Sequence, residues 1–217
     1  MRNVHALTFG RAVFFCLLPL TLAACGSSSS TDPTVPPVTP PPTRASFSEL
    51  STLASKLFDE QDPLPVTPVA NMPVSGTATY SGAAAYKSSA DVDDTLDYPD
   101  YQRAILDNPT WVSDVKMTAN FASDTVAGKF SNFQSAVSGP LNGEINFGYI
   151  DILTDSSSGF SDFEGTALGR VDSVAVVGSV FGEFVGDSAE FILGRIEFEG
   201  ETNPGATGVN GVFTAKQ

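Results

Sequence analysis

The side chains of this sequence that could bind ions or transfer protons are mostly carboxylates. There are 25 Asp and Glu residues, 11 Lys and Arg residues and a single histidine, His5. Aspartates are densest in DVDDTLD, residues 91–97, and clustered aspartates can bind calcium. This segment lacks the glycine at the sixth position and the distal glutamate of an EF-hand loop. We therefore interpret it as a solvated loop and expect no metal site.

Three aromatic side chains are candidates for binding a ligand. Tyr98, Tyr101 and Trp111 lie in the long connection that we predict between the first and second strands, residues 87–113. Loops on a rigid scaffold often carry recognition, and Tyr and Trp are enriched among the residues that dominate binding energy. The alternative is that each of the three packs against the folded domain.

A fourth feature with specific chemistry is Cys25, which ends the sequence LAAC. It follows two basic residues and an apolar run that is too short to cross a bilayer with ease, the arrangement of a signal peptide. LAAC matches the bacterial lipoprotein cleavage box, so we predict a signal peptide over residues 1–24 and lipidation, with chains such as palmitate, at Cys25. Residues 25–44 then form a Ser/Pro-rich tether, and residues 45–217 form the folded domain.

Cleavage of that signal peptide would remove His5 and Cys16 from the mature protein. Without imidazoles or free thiols there is no Ser-His-Asp triad, Cys-His pair, histidine-ligated haem or usual zinc site, and no internal disulfide. Only carboxylate pairs are left for catalysis, and no motif positions a pair. We therefore expect a protein that is not an enzyme, with no catalytic residues and no cofactor.

The charge of the mature chain argues against nucleic acid as a partner. Loss of Arg2 and Arg11 leaves 9 basic residues against 25 acidic ones, a net charge of about −16. Binding to phosphates needs basic clusters, and none is visible. The acidic surface either keeps a secreted protein dispersed or attracts a basic partner or cations.

The folded part begins with one amphipathic helix. In SFSELSTLASKLF, residues 46–58, apolar residues recur at helical spacing. Ser46 and Glu49 form a capping box at the start, and Asp62-Pro63 ends the helix. A second, short helix is predicted from Pro99 to Leu106.

After the first helix, the apolar period changes to two, as in β-strands. One face of the first run carries Tyr80 and Tyr86, and one face of a later run carries Ile145, Phe147 and Tyr149. Short turns separate most of these runs. We count eight strands, at residues 74–86, 114–122, 125–133, 141–151, 160–169, 173–186, 190–200 and 208–216.

Eight sequential strands predict an all-β fold, an eight-stranded antiparallel up-and-down barrel preceded by one amphipathic helix. Closure removes the exposed sheet edges that favour aggregation. Glycines inside the strands fit tight bends or close approach of side chains. A two-sheet sandwich is the rival architecture.

The corner between the sixth and seventh predicted strands resembles a signature of the barrel domains of transferrin-binding protein B, Gly-x-Phe-Tyr-Gly-Pro-x-Ala-Glu-Glu-x-Gly-Gly. In GEFVGDSAEFILG, residues 182–194, Gly182, Phe184, Gly186, Ala189, Glu190 and Gly194 fit this signature, whereas Val185, Asp187, Phe191 and Leu193 depart from it. VKMTANFASDTVAG (115–128), the terminal GVFTA (211–215) and, more weakly, Gly76–Gly82 resemble the same family. The resemblance implies an eight-stranded barrel and a surface lipoprotein.

Transferrin-binding protein B has two lobes, each with a handle domain, whereas this chain has room for one barrel and a helix. It is therefore more similar to single-barrel relatives, including the C-terminal barrel of factor H-binding protein. The expected function is a lipid-anchored lipoprotein of the outer membrane or cell surface that binds an extracellular protein, or an iron- or haem-related ligand, through loops of the barrel. The alternative is a structural lipoprotein of the periplasm with no specific small ligand.

A further hypothesis places a small apolar molecule or haem inside the barrel. Haem would then need Tyr149, Met117 or another non-histidine ligand. Against this, the inward faces are rich in phenylalanine, which favours a filled interior: Phe121, Phe130, Phe147 and Phe184.

Overall fold

The chain is organised around a closed ring of antiparallel strands. The computed structural model describes residues 44–154, 159–200 and 208–217, and residues 42–217 form one compact unit. The predicted signal peptide, Cys25 and the tether up to residue 43 lie outside the described residues. Neither described α-helix has the length and apolar composition needed to cross a membrane.

Two helices and nine strands make up the described part of the chain. Short 3-10 turns at Val69–Asn71 and Ser89–Asp91 flank the first strand. In chain order the helices and strands are α1 (Phe47–Gln61), β1 (Thr77–Ser88), α2 (Tyr98–Asp107), β2 (Trp111–Asn120), β3 (Thr125–Ser135), β4 (Gly139–Pro140), β5 (Gly143–Thr154), β6 (Ser161–Val171), β7 (Val174–Val185), β8 (Phe191–Gly200) and β9 (Val209–Lys216).

Eight of these strands close into an up-and-down barrel. Their order around the ring is β2-β1-β9-β8-β7-β6-β5-β3, and the pairing of β2 with β3 closes it. The two-residue β4, which the sequence did not predict, pairs with the end of β3. Because the ring is closed, the predicted eight-stranded barrel is confirmed and the sandwich is wrong. The helix before the barrel is confirmed as α1, and the predicted second helix is present as α2.

The inward side of the predicted alternation forms the core inside the barrel. Tyr80 and Tyr86 of β1 and Ile145 and Phe147 of β5 are all buried in one apolar cluster. Tyr149 was predicted to share that face, but its side chain is 86% exposed on the outside. The pairing of β5 with β6 is irregular between Phe147 and Ile152, and this shift in register turns the side chains after Phe147 to the opposite face.

Helix α1 covers part of the outside of the barrel and creates a second core. Ser46 accepts a hydrogen bond from the backbone N–H of Glu49, and Glu49 Oε2 accepts one from the backbone N–H of Ser46 at 2.7 Å, so the predicted capping box is present. The apolar stripe of α1 packs against outward-facing residues of the barrel strands. Among the buried members of this second core are Leu50, Ala54, Leu57, Phe58, Ala83, Ala85, Val112 and Val212.

Candidate functional site

Helix α2 carries two of the three aromatic residues that the sequence suggests for binding, Tyr98 and Tyr101. Asp97 caps its first turn by accepting a hydrogen bond from the backbone N–H of Asp100. Ile105 and Leu106 are buried in the second core, which fixes the helix against the barrel. The opposite end of the helix is tied to β1, because Lys87 donates a hydrogen bond to the backbone carbonyl of Ala104.

The first turn of α2 and the outer face of β8 enclose a shallow pocket of about 200 Å³. Its walls are Leu96, Tyr98 and Tyr101 on one side and Arg195 and Glu197 on the other. Tyr98 is 40% exposed. The structure therefore brings two of the three predicted aromatic residues together and adds a cation and an anion to them. We call these five residues the α2 surface.

Both tyrosine hydroxyls of the α2 surface are neutral donors at physiological pH. Burial raises the pKa of Tyr98, and the charge of Glu183 adds to the rise. Burial likewise raises the pKa of Tyr101, with Glu197 contributing. The guanidinium of Arg195 lies 5.5 Å from the ring centroid of Phe181. Arg195 Nε also lies 3.9 Å from Glu197 Oε1, so the cation is part of an exposed ion pair. The surface thus offers hydroxyl donors, aromatic faces and an ion pair, a combination suited to a protein partner.

Trp111 belongs to a different place in the fold. The long connection proves to span residues 89–110, since β1 reaches Ser88 and β2 begins at Trp111. Trp111 is therefore the first residue of a strand, paired with Tyr86 and Ser135. Its half-buried side chain packs against the core inside the barrel. The placement of Trp111 in a recognition loop was wrong.

The aspartates of the acidic segment have structural roles in the loop. Asp93 Oδ1 accepts hydrogen bonds from the backbone N–H and the hydroxyl of Thr95, at 3.0 and 2.7 Å. Asp97 caps α2. Among the described residues, no three His, Cys, Asp or Glu side chains come together in a way that could hold a metal ion.

The two residues considered as haem ligands are separated by the barrel wall. Met117 is buried in the interior core, whereas Tyr149 is exposed on the outside. The two side chains cannot serve one ligand.

The turn between β7 and β8, residues 186–190, carries the family-like motif and has a structural role. Gly186 and Ala189 adopt positive φ angles of 101° and 63°. The hydroxyl of Tyr80 donates a 2.7 Å hydrogen bond to the carbonyl of Ala189. Thr67, from the segment before β1, donates one to the carbonyl of Gly186 at 2.8 Å. The turn is therefore held from inside the barrel and from the preceding chain.

Residues 72–217, which include this turn and every strand of the barrel, match the family described as "C-lobe and N-lobe beta barrels of Tf-binding protein B". This chain belongs to that barrel family. The match covers more than half of the sequence, so the resemblance to transferrin-binding protein B is confirmed.

Solved structures with this barrel include relatives that carry the family's name. Transferrin-binding protein B from Haemophilus parasuis Hp5 (a Trp-176-Ala mutant) matches with 22% identity and a TM-score of 0.43 over 70% of this chain and 29% of that one. The protein from serogroup B Neisseria meningitidis matches with 15% identity and a TM-score of 0.41, over 70% and 27%. A surface lipoprotein matches with 19% identity and a TM-score of 0.40, over 69% and 64%. This chain thus spans under a third of the length of the two transferrin-binding proteins.

No curated protein matches the sequence. Members of the Tf-binding protein B barrel family are named for binding a protein, which agrees with a binding role rather than catalysis.

Sequence reasoning missed the strand residues of the α2 surface. Arg195 and Glu197 alternate with the buried Ile196 on β8, so their outward direction follows from the period of two. Their proximity to Tyr98 does not follow from the sequence pattern. It depends on how α2 packs against the barrel, and α2 is separated from these residues by about a hundred positions in the sequence.

Proposed function

We propose that this protein is a lipid-anchored lipoprotein of the outer membrane, exposed at the cell surface, that binds an extracellular protein. The observation that carries the proposal is the match of residues 72–217 to the barrels of Tf-binding protein B. The lipoprotein cleavage box ending at Cys25 supports the anchor. Transferrin, the partner named for the relatives, is the first partner to test, followed by haem- and iron-carrying proteins.

The α2 surface is the proposed contact with that partner. Tyr98 and Tyr101 present aromatic faces with neutral hydroxyls beside Arg195, and residues of these types dominate protein interfaces. The helix rests on a closed barrel and a buried core, so little ordering is needed on binding.

The first test addresses location and uses protease shaving of intact cells that produce the full chain. We expect the barrel to be degraded while a periplasmic control protein survives. Protection of the barrel until the outer membrane is opened would overturn the surface assignment and leave a periplasmic structural role.

The second test addresses the anchor through Cys25→Ser. This variant is expected to lose incorporation of labelled palmitate and to leave the membrane fraction, because the thiol that accepts the acyl chains is absent. Cys16→Ser, inside the predicted signal peptide, is the matched control and should retain the label. Continued labelling of Cys25→Ser would contradict lipidation at this residue.

The third test addresses the partner. Immobilised wild-type protein is titrated with transferrin, and then with haem- and iron-carrying proteins. Tyr98→Ala combined with Tyr101→Ala should weaken the detected binding by roughly tenfold or more, as loss of interface anchors does. Tyr149→Ala, which removes an exposed tyrosine from a different strand, is the control and should bind normally. If the wild type, the double variant and Tyr149→Ala all bound the partner with equal affinity, the contact with the partner would lie outside the α2 surface.

A further inference from the structure

The two ends of the barrel interior are packed differently. We call the end with the β7–β8 turn the turn end, and the end with the β6–β7 turn at residues 172–173 the mouth. Toward the turn end, aromatic rings fill the space in a continuous chain. Phe184 lies 6.1, 5.9 and 6.0 Å from the rings of Tyr80, Phe121 and Phe163, centroid to centroid.

At the mouth the interior holds an apolar cavity of about 330 Å³ that is open to solvent on one side. Aromatic rings reach this end as well, where the Tyr86 ring lies 5.8 and 6.1 Å from the rings of Phe133 and Phe198, centroid to centroid. Aliphatic side chains complete the lining, among them Val174 and Val176 from β7 and Val209 from β9. Trp111 and Phe198 form part of the aromatic wall. The cavity is about twice the size of the roughly 150 Å³ apolar cavity that binds benzene in an engineered protein, and within the range of ligand pockets.

The lining offers few polar groups to a ligand. The hydroxyl of Tyr86 lies 2.8 Å from the hydroxyl oxygen of Ser113, with which it shares a hydrogen bond. Asp172 Oδ1 accepts a hydrogen bond from the backbone N–H of Asn142 at 2.8 Å. A ligand would thus meet mostly apolar surface, with a carboxylate at the rim. Anions are disfavoured by this carboxylate and by the net charge of −14.

We propose that the mouth of the barrel binds one neutral, apolar small molecule with the bulk of two or three linked rings. An eight-stranded barrel is wide enough to hold one small ligand where side chains do not fill it. The favourable free energy of binding comes from removing the apolar ligand and the valine and aromatic side chains of the cavity from water. This site shares no lining residue with the α2 surface.

The position of Trp111 makes the site directly observable. It is the single tryptophan of the chain and lies in the cavity wall. N-phenyl-1-naphthylamine, a neutral aromatic probe, accepts energy from indole. We expect saturable binding of one probe per protein, with quenching of the tryptophan emission and a rise in probe emission.

The test uses residues 42–217, which form one compact unit. This unit contains both helices, and every strand of the ring has both neighbours within it. A cooperative thermal unfolding transition establishes that it is folded before the probe is added. It also lacks Cys25, so no acyl chain or detergent competes for the probe.

Val176→Phe and Val177→Phe form a matched pair on β7. The Val176 side chain lines the cavity, whereas Val177 is exposed on the outer face. Val176→Phe should weaken probe binding by roughly tenfold or more, because the new ring occupies the space of the ligand, and Val177→Phe should bind as the wild type does. Val209→Phe fills the cavity from a different strand and supplies the same test if Val176→Phe shows no cooperative thermal unfolding.

Trp111→Phe distinguishes binding of the probe from energy transfer between Trp111 and the probe. Probe emission excited directly should persist in this variant, while emission excited through tryptophan should disappear. No saturable binding to the wild type would overturn the proposal. Equal binding by the folded cavity-filling variants and by Val177→Phe would overturn it as well, because the probe would then lie outside the cavity.

Discussion

Glu183 shows how a single charged side chain on the barrel wall links stability to pH. It lies on β7 opposite Asp162 of β6. Burial raises the pKa of Glu183 above its ordinary value of 4.5, and the charge of Asp162 raises it further. The folded protein therefore holds the proton on Glu183 more tightly than the unfolded chain does. In consequence the Glu183 carboxyl stabilises the folded state below its unfolded pKa, and this contribution is lost as the pH rises through its raised folded pKa.

Glu183→Gln is expected to stabilise the protein at pH 7. The wild type loses stability as the pH rises from the unfolded pKa through the raised folded pKa, and the neutral amide removes that loss. The gain in melting temperature at pH 7 should shrink as the pH falls below about 4, where both states of the wild type are protonated. Thermal unfolding measured between pH 3.5 and 7.5 checks this. Glu164→Gln, which removes the same charge at an exposed position on β6, is the control. A gain in Glu183→Gln that does not depend on pH would contradict the explanation.

Gly194 is a glycine that the barrel requires, whereas Gly148 is one that another residue could replace. A Cβ on Gly194 would overlap the ring of Phe213 and the carbonyl of Phe181, whereas one on Gly148 would meet nothing within 4 Å. Gly194→Ala should therefore cost about 1–3 kcal/mol of unfolding free energy, the usual cost of overpacking, and Gly148→Ala should change it by less than about 0.5 kcal/mol. Urea unfolding of both variants measures the difference, and similar costs would show that close approach is not the reason for Gly194.

For single residues, the sequence predicted most of the positions inside the barrel, but not those next to irregular strand pairing. The period of two correctly placed Tyr80, Tyr86 and Phe147 inside. It failed at Tyr149, because the shift in register between β5 and β6 leaves no local signal in the sequence. Trp111 was misplaced for a related reason, since β2 extends three residues beyond its clear alternation.

Among the elements, α1 has the clearest sequence-encoded start. Ser46→Ala should lower the unfolding free energy by about 0.5–2 kcal/mol, because the first turn of the helix loses its side-chain cap. Ser48→Ala changes the same residue type two positions later, at an exposed site without a capping role. It should have little effect. Chemical unfolding of the two variants gives the comparison, and equal losses would show that the cap contributes nothing specific.

The two helices also account for three of the four positions at which this chain departs from the signature of its family. Val185, Phe191 and Leu193 replace a tyrosine, a glutamate and a glycine of that signature. All three point outward and are buried in the second core with α1 and α2. The apolar residues at these positions are therefore the barrel residues that pack against the helices. The sequence alone showed the departures but could not show what covers them, because the helices lie about eighty residues or more away along the chain.

On the scale of the whole molecule, two apolar cores share one barrel wall. Inward residues of β1, such as Tyr80 and Ala84, belong to the interior core. The intervening Ala83 and Ala85 belong to the core under the helices. β9 is divided in the same way, with Phe213 inside and Val212 outside. Since neither core can lose its packing without disturbing these strands, the helices and the barrel should unfold together.

Leu50→Ala tests this coupling from the outside of the barrel. Leu50 on α1 is 1% exposed, and Leu53 one turn later is 36% exposed. Removal of the buried side chain should lower the unfolding free energy by about 2–5 kcal/mol, whereas Leu53→Ala should cost much less. Helix and strand content can be followed by far-ultraviolet circular dichroism, and the mouth of the barrel by Trp111 fluorescence. Both signals should move to the same lower midpoint in Leu50→Ala. Two separate transitions, the first of which leaves Trp111 fluorescence unchanged, would show instead that α1 unfolds separately from a barrel that is stable without it.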